Sequence, residues 1–312
     1  MLFRSLFKDR SLLVLSVLVS IATSAHAAEE ISVTDIPVGV EKFQFGASTS
    51  YHETTGRFDP YGYYTSIPDG ASARTVGTGL SGSYRFNKQW EADLMLPIRQ
   101  TDITVPTGTM SSTSVGGTSV EGRYHYGGWS HLTFHVATTT PWQFKNKTST
   151  GDPSSSLASV MGNDSSAMLS GSNVRVGAGV SHTFRSFRAA MDLTTTVPFA
   201  TEQEPTATIP VATSVRKGER IQTSEGVSYL LGIKWSFSTS VKQMWGRDTT
   251  VDGLDQVGTA SRSFSTALSV GYGASRDWHW MASYETLYPF YNYAVNQGCG
   301  PSVSIGMTYM NL

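Results

Sequence analysis

Two residue patterns resemble known chemical sites, but the segments that carry them favour another interpretation. Gly77-x-Gly79-x-x-Gly82 matches the spacing of dinucleotide-binding loops. Such a loop needs a preceding strand and a following helix, whereas these glycines lie inside a segment that alternates like a strand. His131 and His135 would share a helix face, but on a strand they lie about 13 Å apart at ~3.3 Å per residue. We therefore expect neither a nucleotide site nor a shared metal site here.

The remaining chemical candidates are sparse. The single cysteine, Cys299, excludes a disulfide framework and a Cys-built zinc site. An embedded lipase or acylase would need a Ser–His pair with an orienting acid or amide, and the sequence around His182 offers no such partner. The sequence predicts no catalytic residue, no metal site and no cofactor.

Residues 1–27 have the features of a cleaved secretory signal. Arg4, Lys8 and Arg10 precede a short apolar run at 11–22, and Ala25-His26-Ala27 forms a small-x-small site. The run is too short to be a membrane helix. We expect 28–40 to form a periplasmic segment or a plug, and 41–312 to form the main domain.

The composition leaves few protein classes open. The 312 residues are 39% hydrophobic and 15% charged, with 30 glycines and a net charge of −1. An ordinary soluble domain has about 45–50% apolar and about 25% charged residues. Without a basic excess, no nucleic-acid partner is expected. Chains rich in Gly, Ser, Thr and aromatic residues are typical of β-structure.

Alternation of apolar and polar residues marks twelve segments as strands with two different faces. The ninth segment alternates poorly, and the other eleven alternate clearly. The segments are 43–51, 76–86, 90–98, 120–126, 132–142, 174–184, 189–199, 227–235, 237–247, 264–272, 278–290 and 303–309.

The connections between these segments alternate in length. Short turns are expected at 87–89, 127–128, 185–186, 236–238 and 275–277. Long loops are expected at 52–73, 103–114, 143–170, 201–219, 248–259 and 291–300. This pattern predicts an all-β fold, a transmembrane antiparallel up-and-down barrel with short periplasmic turns and long extracellular loops.

A soluble β-sandwich is the alternative fold, and two further patterns favour the barrel. Aromatic residues gather beside the short turns, as interfacial girdles require; examples are Tyr84, Trp90 and Tyr124. Prolines 97, 141, 198 and 289 fall late in odd-numbered strands, where we expect backbone pairing to end.

If the apolar face meets lipid, the alternate face lines the lumen. The turn at 87–89 predicts that Arg85 lies opposite Glu91. A turn at 127–129 would place His125 opposite His131, and Glu121 opposite His135. These charges form either a rigid internal network or a polar solute path, and their mixed signs predict no strong ion selectivity. The predicted lumen residues are Arg85, Glu91, Asp93, Arg99, Glu121, Arg123, His125, His131, His135, Arg175, Arg188, Asp192, Lys234, Lys242, His279 and Glu285.

Residues 74–200 resemble the outer-membrane transporter-like barrel family described as "MetA-pathway of phenol degradation". The resemblance lies in the glycine-rich strand from Gly77 to Phe86, in Leu96-Pro97, and in Thr150-Gly151-Asp152 followed by Gly171-Ser172-Asn173. It implies passage of small solutes, hydrophobic or aromatic ones included. It implies no catalytic residues.

The C-terminus resembles the signal read by the barrel-assembly machinery, through Ser304, Gly306 and Tyr309. We therefore expect an outer-membrane channel of a Gram-negative bacterium, in contact with lipid, lipopolysaccharide and the assembly machinery. A structural or adhesive barrel with a closed lumen and an embedded lipid-modifying enzyme stay as alternatives. The oligomeric state is left open, as is whether 28–40 or 143–170 plugs the barrel.

Overall fold

A computed structural model describes residues 42–115, 117–127, 131–140, 145–151, 172–203, 213–232, 234–275, 277–287 and 294–311. Twelve long strands form the barrel, and each overlaps one of the twelve predicted segments. Within the described ranges, no helix is long and apolar enough to cross a membrane. The strands are β1 (Lys42–Thr54), β2 (Ser72–Arg85), β3 (Trp90–Val105), β4 (Ser119–Tyr126), β5 (His131–Thr139), β6 (Asn173–Phe184), β7 (Phe187–Pro198), β8 (Arg220–Leu231), β9 (Trp235–Gly246), β10 (Ser261–Gly273), β11 (Trp278–Leu287) and β12 (Pro301–Asn311).

The sheet closes on itself. Each strand pairs antiparallel with its neighbours in sequence, and β1 pairs with β12 from Phe43↔Asn311 to His52↔Ser302. Closure gives β1 and β12 a hydrogen-bonding neighbour on both sides, which lipid could not provide. The predicted twelve-stranded antiparallel barrel is confirmed.

The outer surface is apolar in its middle and aromatic at the short-turn end. Leu94, Phe134 and Leu193, all on the outer face, are each at least half exposed. Near the short turns, aromatic rings pair across strands with centroids 4.7–5.1 Å apart, as the predicted girdle requires. The cross-strand pairs are Trp90–Tyr124, Phe187–Tyr229, Trp235–Tyr272 and Trp278–Tyr309.

The carboxylate of Glu225 lies on this outer face. It sits near the middle of β8, and its Cα partners on the adjacent strands are Met191 and Val241. Its face follows from the register, because the preceding residue, Ser224, is buried on the inner side.

The turn between β8 and β9 corrects the predicted position. We expected it at 236–238, but β8 ends at Leu231 and Trp235 already begins β9. Gly232 adopts a φ of 66°, a left-handed conformation that glycine enters without steric cost. Trp235 therefore starts the ninth strand and does not end the eighth.

The segment 103–114 is not a loop as expected. β3 runs on to Val105 and turns into a strand at Gly108–Val115, which in turn pairs with Lys145–Gly151. Two further small sheets lie at this extracellular end. One contains Gly56–Phe58, Tyr64–Ser66 and Gln297–Cys299, and the other contains Thr201–Gln203, Thr213–Arg216, Thr249–Val251 and Leu254–Gln256.

Pro97 lies in the middle of β3 and not near its end. On one side of β3, residues 90–95 pair with β4 and residues 98–105 pair with the strand at Gly108–Val115. Pro97 falls between these two partners, where its missing N–H costs no ladder hydrogen bond. Pro198 ends β7 as expected, whereas Pro141 and Pro289 lie outside the described residues.

The extracellular end has its own small apolar cores. Ile103 is fully buried and packs with Ala73 and Val105, and Ile67 of the preceding loop covers them. A second cluster joins Phe58, Ala294 and Cys299. The signal at 1–27, the segment 28–40 and residues 152–170 of the expected loop lie outside the described residues, so both plug hypotheses stay predictions.

Candidate functional site

The register assigns one face of every strand to the barrel interior. Residues opposite one another on adjacent strands share a face, and the face changes at every residue. Glu91 is opposite Arg123, Arg123 is opposite His135, and His135 is opposite Gly177. His135 on β5 contacts Asp192 on β7, and Arg175 on β6 contacts Glu121 on β4. Contacts across an intervening strand place these side chains on the concave inner face, where side chains converge.

A charged cluster lies on the inner wall formed by β3 to β7, and Glu121 is at its centre. Glu121 is 4% exposed. It accepts a hydrogen bond from Arg123 Nε at 2.8 Å and another from Arg175 Nη2 on β6. Arg123 Nε also lies 3.1 Å from Asp93 Oδ2. Two arginines thus balance carboxylates from β3 and β4.

Glu91 organises the periplasmic side of this cluster. The predicted pair with Arg85 is confirmed, since Arg85 Nη2 donates to Glu91 Oε2 at 2.8 Å. Ser83 Oγ donates to the other carboxylate oxygen at 2.9 Å, and His125 Nε2 lies 3.3 Å from Oε2. The hydroxyl of Ser83 was not among the predicted residues, because only its inward face distinguishes it from other serines.

His135 is held between two carboxylates. Its Nε2 lies 3.0 Å from Asp192 Oδ2 on β7, and its Nδ1 lies 3.5 Å from Glu121 Oε1. Thr194 donates a hydrogen bond to Asp192. With both ring nitrogens directed at carboxylates, His135 is not oriented toward a serine as a catalytic base would be.

The predicted register between β4 and β5 is wrong by two residues. His125 is opposite Thr133 and not His131, and Arg123 rather than Glu121 is opposite His135. The connection after Tyr126 is longer than the expected 127–129, because the pair that flanks the turn is Tyr126↔Leu132. A slip of two residues keeps every side chain on its predicted face but changes its partner.

The wall formed by β8 to β12 carries fewer charges. Lys242 Nζ lies 3.6 Å from Glu285 Oε1, which also accepts a hydrogen bond from Ser265. Serine pairs such as Ser283–Ser304 join adjacent strands.

Three other predicted lumen residues face inward by register: His131 on β5, Arg188 on β7 and His279 on β11. Arg188 donates to Ser181 Oγ at 3.3 Å.

Lys234 does not lie on the inner face of a strand. The sequence placed it near the end of the eighth strand, but it is an exposed residue of the turn before β9. The early end of β8 at Leu231 accounts for this correction.

A strip of the inner wall on β1 to β3 is exposed to water. Ser48, Met95 and Arg99 face inward and are nevertheless exposed. Gly77 and Gly79 lie on the same inner face, whereas Gly82 faces outward opposite Phe45 and Leu94. We call Met95, Pro97, Arg99, Gly77 and Gly79 the inner strip.

Within the described ranges, no group of three or more His, Cys, Asp or Glu side chains is placed to hold a metal ion. The charged cluster mixes its carboxylates with arginines at 2.8–3.9 Å. Guanidinium groups occupy the positions next to the carboxylate oxygens, so the cluster acts as an ion-pair network.

Comparisons with known proteins place the fold. No protein-family model and no curated protein matches the sequence. The crystal structure of an outer membrane channel from Pseudomonas putida F1 is similar, with a TM-score of 0.68 at 10% identity over 90% of this chain and 100% of that chain. The NanC porin has a TM-score of 0.49 at 9% identity, over 86% of this chain and 100% of that one. The translocator domain of the autotransporter NalP from Neisseria meningitidis has 0.49 at 11%, over 99% of both chains.

The likeness to the Pseudomonas protein agrees with the transporter-like barrel fold that the sequence resemblance implied. The closed twelve-stranded sheet, the apolar outer band and the aromatic girdle described above indicate the same fold. The chain therefore has the fold of an outer-membrane β-barrel.

Proposed function

We propose that this protein is a passive or substrate-selective channel that lets small solutes cross the outer membrane. The observation that supports the proposal best is the exposure of Ser48, Met95 and Arg99 on the inner face. An interior filled by side chains would bury these residues. Their exposure is consistent with water beside the inner strip.

The strand number and the inner residues support the same function. Barrels of roughly eight strands are just filled by their side chains, and those of roughly 16–18 strands leave an aqueous channel. Twelve strands lie between these limits, so the size of the inner residues matters. The small residues Gly77, Gly79 and Ser48 leave room on one side of the lumen. The Pseudomonas putida protein of the same fold is described as an outer membrane channel, which adds support.

The solute class follows from the wall. Hydroxyl and charged groups suit hydrated solutes, and the family resemblance adds hydrophobic or aromatic ones. Insertion by the barrel-assembly machinery and contact with lipopolysaccharide belong to the same proposal.

Planar-bilayer recording and liposome swelling with the purified mature protein test the channel. We expect stepwise conductance and swelling in small uncharged sugars. Met95→Trp would narrow the lumen beside the inner strip and lower both the conductance and the swelling rate. Leu94→Trp is the matched control, because Leu94 is the adjacent residue and faces lipid. Folded protein that neither conducts nor swells liposomes would overturn the proposal.

A structural barrel with a closed lumen is the second candidate. Two observations favour it: Glu121 and His135 are buried within the charged cluster, and Ile103 is fully buried at the extracellular end. The same recording separates the two functions, because only a closed barrel is silent while it still migrates as a heat-modifiable band on gels.

A further inference from the structure

Arg99 differs from four other basic residues of the inner wall in having no carboxylate partner among the described residues. Arg85, Arg123 and Arg175 each contact a carboxylate, and Lys242 contacts Glu285. Within the described part of the chain, no carboxylate lies at ion-pair distance from Arg99, and its side chain is exposed. Its guanidinium therefore offers its hydrogen-bond donors to the lumen.

The surroundings of Arg99 leave space for a ligand. Its Cα partner on β2 is Gly77, and the next residue across, on β1, is Ser50. A Cβ atom at Gly77 would lie only 2.6 Å from Ser50 Oγ, so glycine keeps this part of the wall flat. The flat wall lets a planar group approach the guanidinium.

The inner strip becomes apolar on the periplasmic side of Arg99. Pro97 and Met95 follow on the same face of β3, and Met95 is 41% exposed. Met95 Cε lies 3.5 Å from where a Cβ at Gly79 would be. Pro97 and Arg99 are about 6.6 Å apart along the strand at ~3.3 Å per residue, a span that suits a small ring bearing one charged group, and Met95 extends the apolar surface beyond Pro97.

We propose that the inner strip binds small organic anions with one carboxylate, such as aromatic acids, on their way through the barrel. This rests on the proposed channel function and names its solute class. The carboxylate would accept two parallel hydrogen bonds from Arg99, the strongest geometry available to this pair. The apolar body would lie on Pro97 and Met95, since a methionine thioether packs well against aromatic rings.

Saturation-transfer NMR tests this site by measuring the binding of benzoate to the mature protein in detergent. Benzamide is the matched neutral probe. We expect Arg99→Gln to weaken benzoate binding by about tenfold or more, the usual range for losing charged hydrogen bonds. Benzamide binding should change less than about twofold, because its contacts are apolar and neutral. Arg99→Lys should keep part of the benzoate affinity.

Arg74→Gln is the control variant. Arg74 lies on β2 near the same end of the barrel but pairs with Glu53 on the outer face. It should leave benzoate binding unchanged. Equal loss in both variants, or none in Arg99→Gln, would overturn the site.

Reversal potentials in a KCl gradient separate this proposal from the channel function. Arg99→Gln should lower the chloride-to-potassium permeability ratio while conductance persists. Conductance with unchanged selectivity and unchanged benzoate binding would refute the anion site and leave the channel intact. If the wild type does not conduct, the channel proposal fails, and the benzoate measurement still decides whether Arg99 binds carboxylates.

Discussion

Replacing Glu121 with glutamine tests whether the charged cluster holds β3 to β7 together. The change keeps the shape of the side chain and removes its charge. Arg123 and Arg175 would then lose a shared carboxylate inside the barrel. We expect a clear loss of stability, because breaking a buried ion pair leaves a charge without compensation.

The size of this loss follows from the exposure of the partners. Removing one partner of a buried pair costs about 3–5 kcal/mol. The side chain of Arg175 is 34% exposed and reaches water, and Arg123 keeps Asp93 at 3.1 Å. We therefore expect the free energy of unfolding to fall by the lower end of this range, about 3 kcal/mol, or roughly a hundredfold in the folding equilibrium.

Denaturant unfolding in lipid vesicles, followed by tryptophan emission, measures the change. Glu53→Gln is the control, because the Glu53–Arg74 pair spans 3.4 Å on the exposed outer face. An exposed pair contributes at most about 1 kcal/mol. Equal losses in the two variants, or no loss in Glu121→Gln, would refute the idea of a buried stabilising network.

Three further changes test other parts of the barrel. Trp90→Ala should lower the free energy of unfolding by about 1 kcal/mol or more, since it removes a ring 4.9 Å from Tyr124; a neutral result in vesicle unfolding would contradict the girdle. Glu225→Val should raise that free energy by about 1 kcal/mol, because a carboxylate on the lipid face is costly; a loss would show that Glu225 supports the fold. Burial raises the pKa of the Cys299 thiol, so less thiolate is present at neutral pH. Maleimide labelling of folded protein should be about tenfold slower than of unfolded protein and keep rising with pH beyond about 8.5; equal rates would contradict this burial.

The faces of the strands could be predicted because they depend on local order. Period-two alternation places Leu94 outward and Asp93 inward wherever the strand pairs. The short turn at 87–89 also fixed one register, and Arg85 lies opposite Glu91 as expected. Both features need only residues close together in sequence.

The misplaced elements have physical causes that alternation does not report. The segment 103–115 continues as a hairpin although its Thr, Ser and Gly residues lack an apolar pattern. β8 ends early because Gly232 permits a left-handed turn, which moved Lys234 out of the lumen. The β4–β5 register depends on the length of one connection, and no residue pattern measures that length.

The sequence by itself determined the barrel, its outer and inner faces and the type of residue inside it, since lipid and water select side chains position by position. Only the tertiary structure decided which inner charges meet. His135 and Asp192 are 57 residues apart, and Arg175 and Glu121 are 54 apart. In each pair the two strands lie on either side of one intervening strand and turn both side chains to the inner face. The same pairing leaves Arg99 facing the lumen between a glycine and an apolar strip.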